Sequence, residues 1–208
     1  MNIEFQSVSK RFAYEWIFRD VNYAIPSGSR LGIIGPNGSG KSTFLRVLLG
    51  TIDPSKGKVL YQAGDKVINA NEVFQNFSFT APYMGIPDNL TIEEAVKFHF
   101  KFRNVRDDIN PNDIPEIALL ANNKKKLIRQ YSSGMRQRFK LILAMATDSK
   151  ILVFDEPTTN LDEEGKTWFQ SNLKKYLGAR TLIIATNEKD DLALVSEKLN
   201  IIDYKKKS

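Results

Sequence analysis

Gly35-Pro36-Asn37-Gly38-Ser39-Gly40-Lys41-Ser42-Thr43 is the stretch that decides how this chain of 208 residues is read. It follows the apolar run Leu31-Gly32-Ile33-Ile34 and leads into Phe44, Leu45, Val47, Leu48 and Leu49, spaced to give a helix one buried face, with Gly50 as its stop. A G-x-x-x-x-G-K-[ST] loop therefore lies where a strand turns into a helix, the context in which that spacing binds phosphate. The three glycines allow backbone conformations and close approaches that side chains would obstruct. Successive N–H groups can then turn inward as an anion cradle, with the positive end of the helix dipole behind them. Lys41 is placed to reach β- and γ-phosphates, and the Ser42 hydroxyl to ligate Mg²⁺.

Further along, Ile151-Leu152-Val153-Phe154 runs without polar alternation into Asp155-Glu156-Pro157. Such a run predicts a strand buried on both faces of a parallel sheet. Carboxylates at its C-terminal end fall where open α/β sheets bind ligands. Asp155 is the candidate metal ligand and Glu156 the candidate general base. Two acids after a strand also read as a turn with a helix cap; the phosphate loop upstream favours the site.

Composition sets the outer bounds. Apolar residues make up 42% and charged residues 26%, ordinary for a globular protein. No apolar stretch approaches the ~20 residues a membrane-spanning helix needs. The start, Met1-Asn2-Ile3-Glu4-Phe5-Gln6, lacks the features of a signal peptide, so a cytoplasmic location is expected. The chain has no cysteine and so no disulfide or thiolate metal site. The net charge of +6 is spread along the chain, with clusters at Lys124-Lys125-Lys126 and Lys205-Lys206-Lys207 that read as solvated surface and tail.

Residues 2–34 read as strand-rich, with 57–61 and 76–80 as further short strands. Thr91-Ile92-Glu93-Glu94 is a capping-box pattern, predicting a helix to about Arg103. A second helical segment, after a polar joint at Asn110–Asp113, ends near Asn123. Residues of about 88–130 thus form a small helical insert. A helix after Ser133, the strand at 151–154, a helix over 162–177 and a strand over 181–185 alternate as αβαβ, which argues for a parallel sheet covered by helices.

Between the two nucleotide half-sites lies Tyr131-Ser132-Ser133-Gly134-Met135-Arg136-Gln137-Arg138. With it, the order GPNGSGKST, YSSGMRQR, ILVFDEPTTNLD closely resembles the ATP-binding subunits of ABC transporters over essentially the full length. The resemblance implies one P-loop domain over residues 1–208, with a mostly parallel core sheet, an N-terminal antiparallel β part and the helical insert. It implies ATP and Mg²⁺ as cofactors and ATP hydrolysis that drives transport through a separate integral membrane permease, with the chain on the inner face of the cell membrane. It also implies a head-to-tail dimer, with itself or a close homologue, in which Ser132 and Gly134 of one subunit complete the phosphate site of the other. Thr159-Asn160-Leu161-Asp162 matches the loop joining the two sites. Phe12 best matches the aromatic residue that stacks on adenine, with Tyr14 and Trp16 as alternatives.

The chain departs from the family pattern at three places. Pro82 stands where a glutamine is usual, and Gln75 is too early to replace it. Asn187 follows Thr186 where a switch histidine is usual; its amide can hydrogen-bond a γ-phosphate but carries no titrating proton. Ser133 and Met135 replace the commonest signature residues, a hint toward export. His99, the single histidine, reads as a surface or interface residue. Two further readings stay open: an ABC-type ATPase acting on ribosomes or DNA, favoured only by the basic excess, and a nucleotide-gated module that rarely hydrolyses. A nucleic-acid partner is not expected.

Overall fold

The computed structural model describes residues 1–64 and 66–205. The end of the second lysine cluster, Lys206 and Lys207, lies outside them. Strands β1 (Asn2–Phe12) and β2 (Glu15–Ile25) form a long antiparallel pair. Then come β3 (Arg30–Ile34), α1 (Lys41–Leu48), β4 (Lys56–Ala63), the two-residue β5 (Lys66–Val67), the short α2 (Ala70–Val73) and β6 (Phe77–Thr80). The insert contributes α3 (Ile92–His99) and α4 (Ile114–Ile117). The chain continues through α5 (Ser133–Ala146), β7 (Ile151–Asp155), α6 (Glu163–Leu177), β8 (Thr181–Ala185), α7 (Lys189–Leu192) and β9 (Glu197–Asn200).

Two sheets result. The antiparallel one has the order β2-β1-β4-β5, and the other, parallel at every pairing, has the order β6-β7-β8-β3-β9. All residues of β7 and β8 are buried, as unbroken apolar runs in a doubly covered sheet must be. One core fills the space between the sheets around α1, where Phe5 stacks on Phe44 at 4.7 Å and Phe18 meets Phe44 edge-on at 5.7 Å. A second core joins the opposite face of the parallel sheet to α5, α6 and the insert, with Phe154 against Phe169. Truncating such a ring to alanine costs about 3–5 kcal/mol, through lost transfer energy and the cavity left.

The helical insert departs from expectation. Its capping box forms: Thr91 N donates to Glu94 Oε2 at 2.8 Å and Glu94 N to Thr91 Oγ1 at 3.4 Å. The helix stops at His99, however, not at Arg103: Lys101 N and Phe102 N bond three residues back, to Phe98 O and His99 O, and the Arg103 guanidinium reaches the carbonyls of Phe77 (2.6 Å) and Gln75 (3.4 Å). The second segment is a 3₁₀ turn (111–113), the four-residue α4 and another 3₁₀ turn (121–123), since Pro115 lacks the N–H that would bond Pro111 O and Leu119, at φ of 58°, ends α4.

Candidate nucleotide site

Parallel pairing sends the carboxyl ends of β6, β7, β8 and β3 to one edge, and four loops converge there. They are the loop after Thr80, Asp155-Glu156, Thr186-Asn187 and the Gly35–Thr43 loop. This is the edge at which open α/β sheets take ligands.

Gly40 caps α1 with φ of 109°, a left-handed conformation, and a Cβ there would collide with Ile17 Cγ2 of β2. The position is therefore glycine for both backbone and space. Lys41 is buried, and its Nζ donates to the carbonyls of Gly35 (2.7 Å) and Pro36 (3.4 Å), so the ammonium is held inside the curve of its own loop. Ser39 N closes that curve onto Pro36 O at 3.1 Å.

Asp155 is 3% exposed. Burial, then the charge of Glu156, push its carboxyl above the usual range; hydrogen bonding with Ser42 and the charge of Lys41 oppose them. The loop's serine and lysine thus both act on the acid at the end of β7. A buried carboxylate beside a hydroxyl suits a hard cation, and Mg²⁺ needs only one or two such protein ligands because waters and phosphates supply the others. Among the described residues there is no group of three or more His, Cys, Asp or Glu that could hold a metal ion.

Glu156 has φ of 48°, unusual for a residue with a side chain; its N–H donates to Ala185 O at 2.8 Å and its Oε2 accepts from Thr159 Oγ1 at 3.4 Å. Backbone strain of this kind costs on the order of 1–3 kcal/mol and persists where surroundings enforce it. Asn187 is exposed and donates from Nδ2 to Asn37 Oδ1 at 3.3 Å, tying the loop after β8 to the phosphate loop. Thr186, beside it, is buried and shares the carboxylate of Asp191 with Thr158.

The signature segment opens α5 beside the loop that follows Glu156. Ser132 is exposed and caps α5 by accepting from Met135 N at 3.2 Å. A Cβ on Gly134 would sit 3.0 Å from Asn160 O, so this glycine lets the Thr159–Asp162 loop approach α5. Gln137 reinforces that approach, donating to Pro157 O at 2.7 Å. No hydrogen bond described for Ser132 reaches the phosphate loop. Of the aromatic candidates, Phe12 is 47% exposed under Lys10 Nζ, Tyr14 is 96% exposed, and Trp16 is ringed by Arg11, Arg19 and Lys56. Sequence reasoning did not single out Ile17, Lys140 or the Asp191 cluster. Lys140 carried no signal of its own, yet its Nζ donates to the carbonyls of Ala81 (3.2 Å) and Pro82 (3.4 Å), the loop that lacks the usual glutamine.

A glycine-rich loop opening a helix, with an acid pair ending a neighbouring buried strand, defines a P-loop nucleoside triphosphatase. Residues 18–159 match the family described as ABC transporter. The chain is 26% identical over 211 residues to the Nod factor export ATP-binding protein I of Burkholderia lata, covering 99% of this chain and 69% of that protein. It is 28% identical over 210 residues to the sulfate/thiosulfate import ATP-binding protein of Mesostigma viride, covering 98% and 60%. Its fold matches an ATP-binding cassette solved as a dimer in a post-hydrolysis state with ADP and Pi, with TM-score 0.80, 22% identity and coverage of 95% and 93%. The chain belongs to the ABC transporter family, as an ATP-binding, ATP-hydrolysing subunit.

Proposed function

We propose that the chain acts as a single ATPase unit that clamps Mg·ATP with a second subunit and drives a separate membrane protein. The observation that carries this reading is the glycine-rich loop curled around the buried Lys41 ammonium, at the same sheet edge as the buried Asp155 and its neighbour Glu156. The Gly35–Thr43 loop would wrap the phosphates with its N–H groups, and Lys41 would leave its own carbonyls for the β- and γ-oxygens. Ser42 and Asp155 would hold Mg²⁺, which when bound neutralises charge on the phosphates. Glu156 would orient and deprotonate water, Asn187 would hydrogen-bond the γ-phosphate, and Phe12 would stack on adenine. Catalysis of this kind is mostly positioning and charge stabilisation. The partner copy's serine and glycine, equivalent to Ser132 and Gly134, would complete the site.

No helix among the described residues is long and apolar enough to cross a membrane. An apolar groove runs between α3, α5 and the loop after β6, with Phe74 (62% exposed), Phe102 (73%), Phe98 and Met84 at its surface. Its charged lining residues are Arg103 and Lys140, with no acid. It would seat an apolar segment of the membrane subunit, which would place this chain on the inner membrane face. Lys140 on the groove wall holds the Ala81–Pro82 loop, so an occupant there bears on the nucleotide edge. The relatives include both export and import proteins, and Ser133 and Met135 are what favour export here.

The test is phosphate release from Mg·ATP by the purified chain, together with co-purification of a multi-span membrane protein. Phe98→Asp/Phe102→Asp should keep ATP binding and lose the membrane protein. An unchanged pull-down would remove the groove from the proposal, and no ATP binding by the parent chain would remove the rest.

A further inference from the structure

Asp191 is completely buried on α7, and nothing in the catalytic reading above uses it. Its Oδ2 accepts from Thr158 Oγ1 at 3.0 Å and Thr186 Oγ1 at 2.9 Å, both hydroxyls themselves buried. Its Oδ1 is buried with no hydrogen-bond partner among the described residues. A carboxylate left half-satisfied costs free energy, and a fold keeps such a group where the half that is satisfied matters.

The satisfied half joins two loops. Thr158 follows Glu156 by two residues, and Thr186 immediately precedes Asn187. Thr186 is fixed on its other sides as well: its N–H donates to Ile33 O at 3.2 Å, on the strand that feeds the phosphate loop, and its hydroxyl accepts from Glu188 N at 3.0 Å. Glu156 and Asn187, by contrast, stand at the ends of different strands and share no hydrogen bond described here. The backbone already ties Glu156 N to Ala185 O at 2.8 Å, and the carboxylate oxygen adds the side-chain tie that holds Thr158 to Thr186.

We propose that Asp191 is a positioning residue for ATP hydrolysis, gripping Thr158 and Thr186 so that Glu156 and Asn187 address one γ-phosphate at a fixed separation. This rests on the ATPase reading. It acts on the chemical step and leaves nucleotide binding, a matter for the Gly35–Thr43 loop, untouched.

The readout is the split between kcat and ATP affinity. Asp191→Ala is expected to bind ATP within about twofold of wild type and to lose at least about tenfold in kcat, since misplacement by about 1 Å can cost on the order of 100-fold. Asp191→Asn keeps an oxygen that accepts from both hydroxyls, so its kcat should return to within about threefold of wild type. Thr158→Val deletes one donor with little change of volume and should lower kcat in the same selective way; combined with Asp191→Ala it should add nothing, as for residues of one network. If Asp191→Ala fails to fold, Thr158→Val carries the test. Wild-type kcat in these variants, or affinity falling in step with kcat without rescue by asparagine, overturns the proposal alone. A wild-type protein that binds ATP but releases no phosphate overturns the ATPase reading and this proposal with it.

Discussion

Lys41, proposed to hold phosphates, and Glu156, proposed as the base, should have variants that fail differently. Lys41 is buried inside its loop and would supply positive charge to phosphates in ground and transition state alike. Lys41→Ala is therefore expected to weaken ATP binding, seen as a rise in Kd by equilibrium binding of a fluorescent analogue. Glu156→Gln keeps the side-chain shape and the acceptor for Thr159 but removes the base. It should bind ATP as wild type does and release phosphate at least about 100-fold more slowly, within the range general-base catalysis supplies. Equal turnover in Glu156→Gln and wild type would take the base away from Glu156. Asn187, with no titrating group, is consistent with a positioning duty beside such a base.

Among the elements, α3 shows how a side chain set aside on sequence gains a structural duty. His99 ends α3, half-buried on the apolar groove, with Nε2 at 2.8 Å from Oγ1 of Thr147, which caps the end of α5. Thr147 Oγ1 already donates to Leu143 O at 2.7 Å, so its oxygen accepts and His99 carries the Nε2 proton. Burial, and then the Arg103 charge, push the imidazole down to about 4. The folded value lies below the unfolded one near 6.5, so between the two the unfolded chain binds the extra proton. Stability is then full above about pH 6.5 and falls as pH drops toward 4, by about 2 kcal/mol at pH 5 from this group. Denaturant unfolding at pH 7 and pH 5 checks it: wild type should lose about 2 kcal/mol more than His99→Gln on acidification. Equal losses would show that His99 titrates normally. What was legible in the sequence here was local. The Thr91–Glu94 box, the helix stop at Gly50 and the unbroken strand of residues 151–154 each depend on residues a few positions apart. The insert's broken second half was not legible: Leu119, whose φ of 58° ends α4, is a residue type that ordinarily continues a helix. His99–Thr147, Lys140–Ala81 and Thr158–Asp191 were hidden for another reason: each joins segments tens of residues apart, and no motif records the pairing.

At the scale of the whole molecule, two copies would each complete the other's site. The motifs in this chain fall into two groups that no described hydrogen bond of Ser132 joins: Lys41, Ser42, Asp155 and Glu156 at the sheet edge, and Ser132 exposed at the N-terminus of α5. A segment with an exposed hydroxyl at a helix N-terminus is suited to an anion brought by another molecule. Ser132→Asp separates this role from helix capping, since aspartate caps as well as serine while its charge would repel a triphosphate. In the Glu156→Gln background, ATP should convert monomer to dimer in sedimentation, and adding Ser132→Asp should abolish the dimer while leaving ATP binding intact. Mixing is the sharper measurement. Lys41→Ala and Ser132→Asp proteins, each inactive alone, can pair so that the intact loop of one meets the intact signature of the other, giving one complete site per mixed dimer. Phosphate release by the mixture should exceed the sum of the separate proteins and rise with the product of their concentrations. A mixture no more active than its parts would mean that Ser132 serves only its own helix, and that nucleotide is held by one subunit alone.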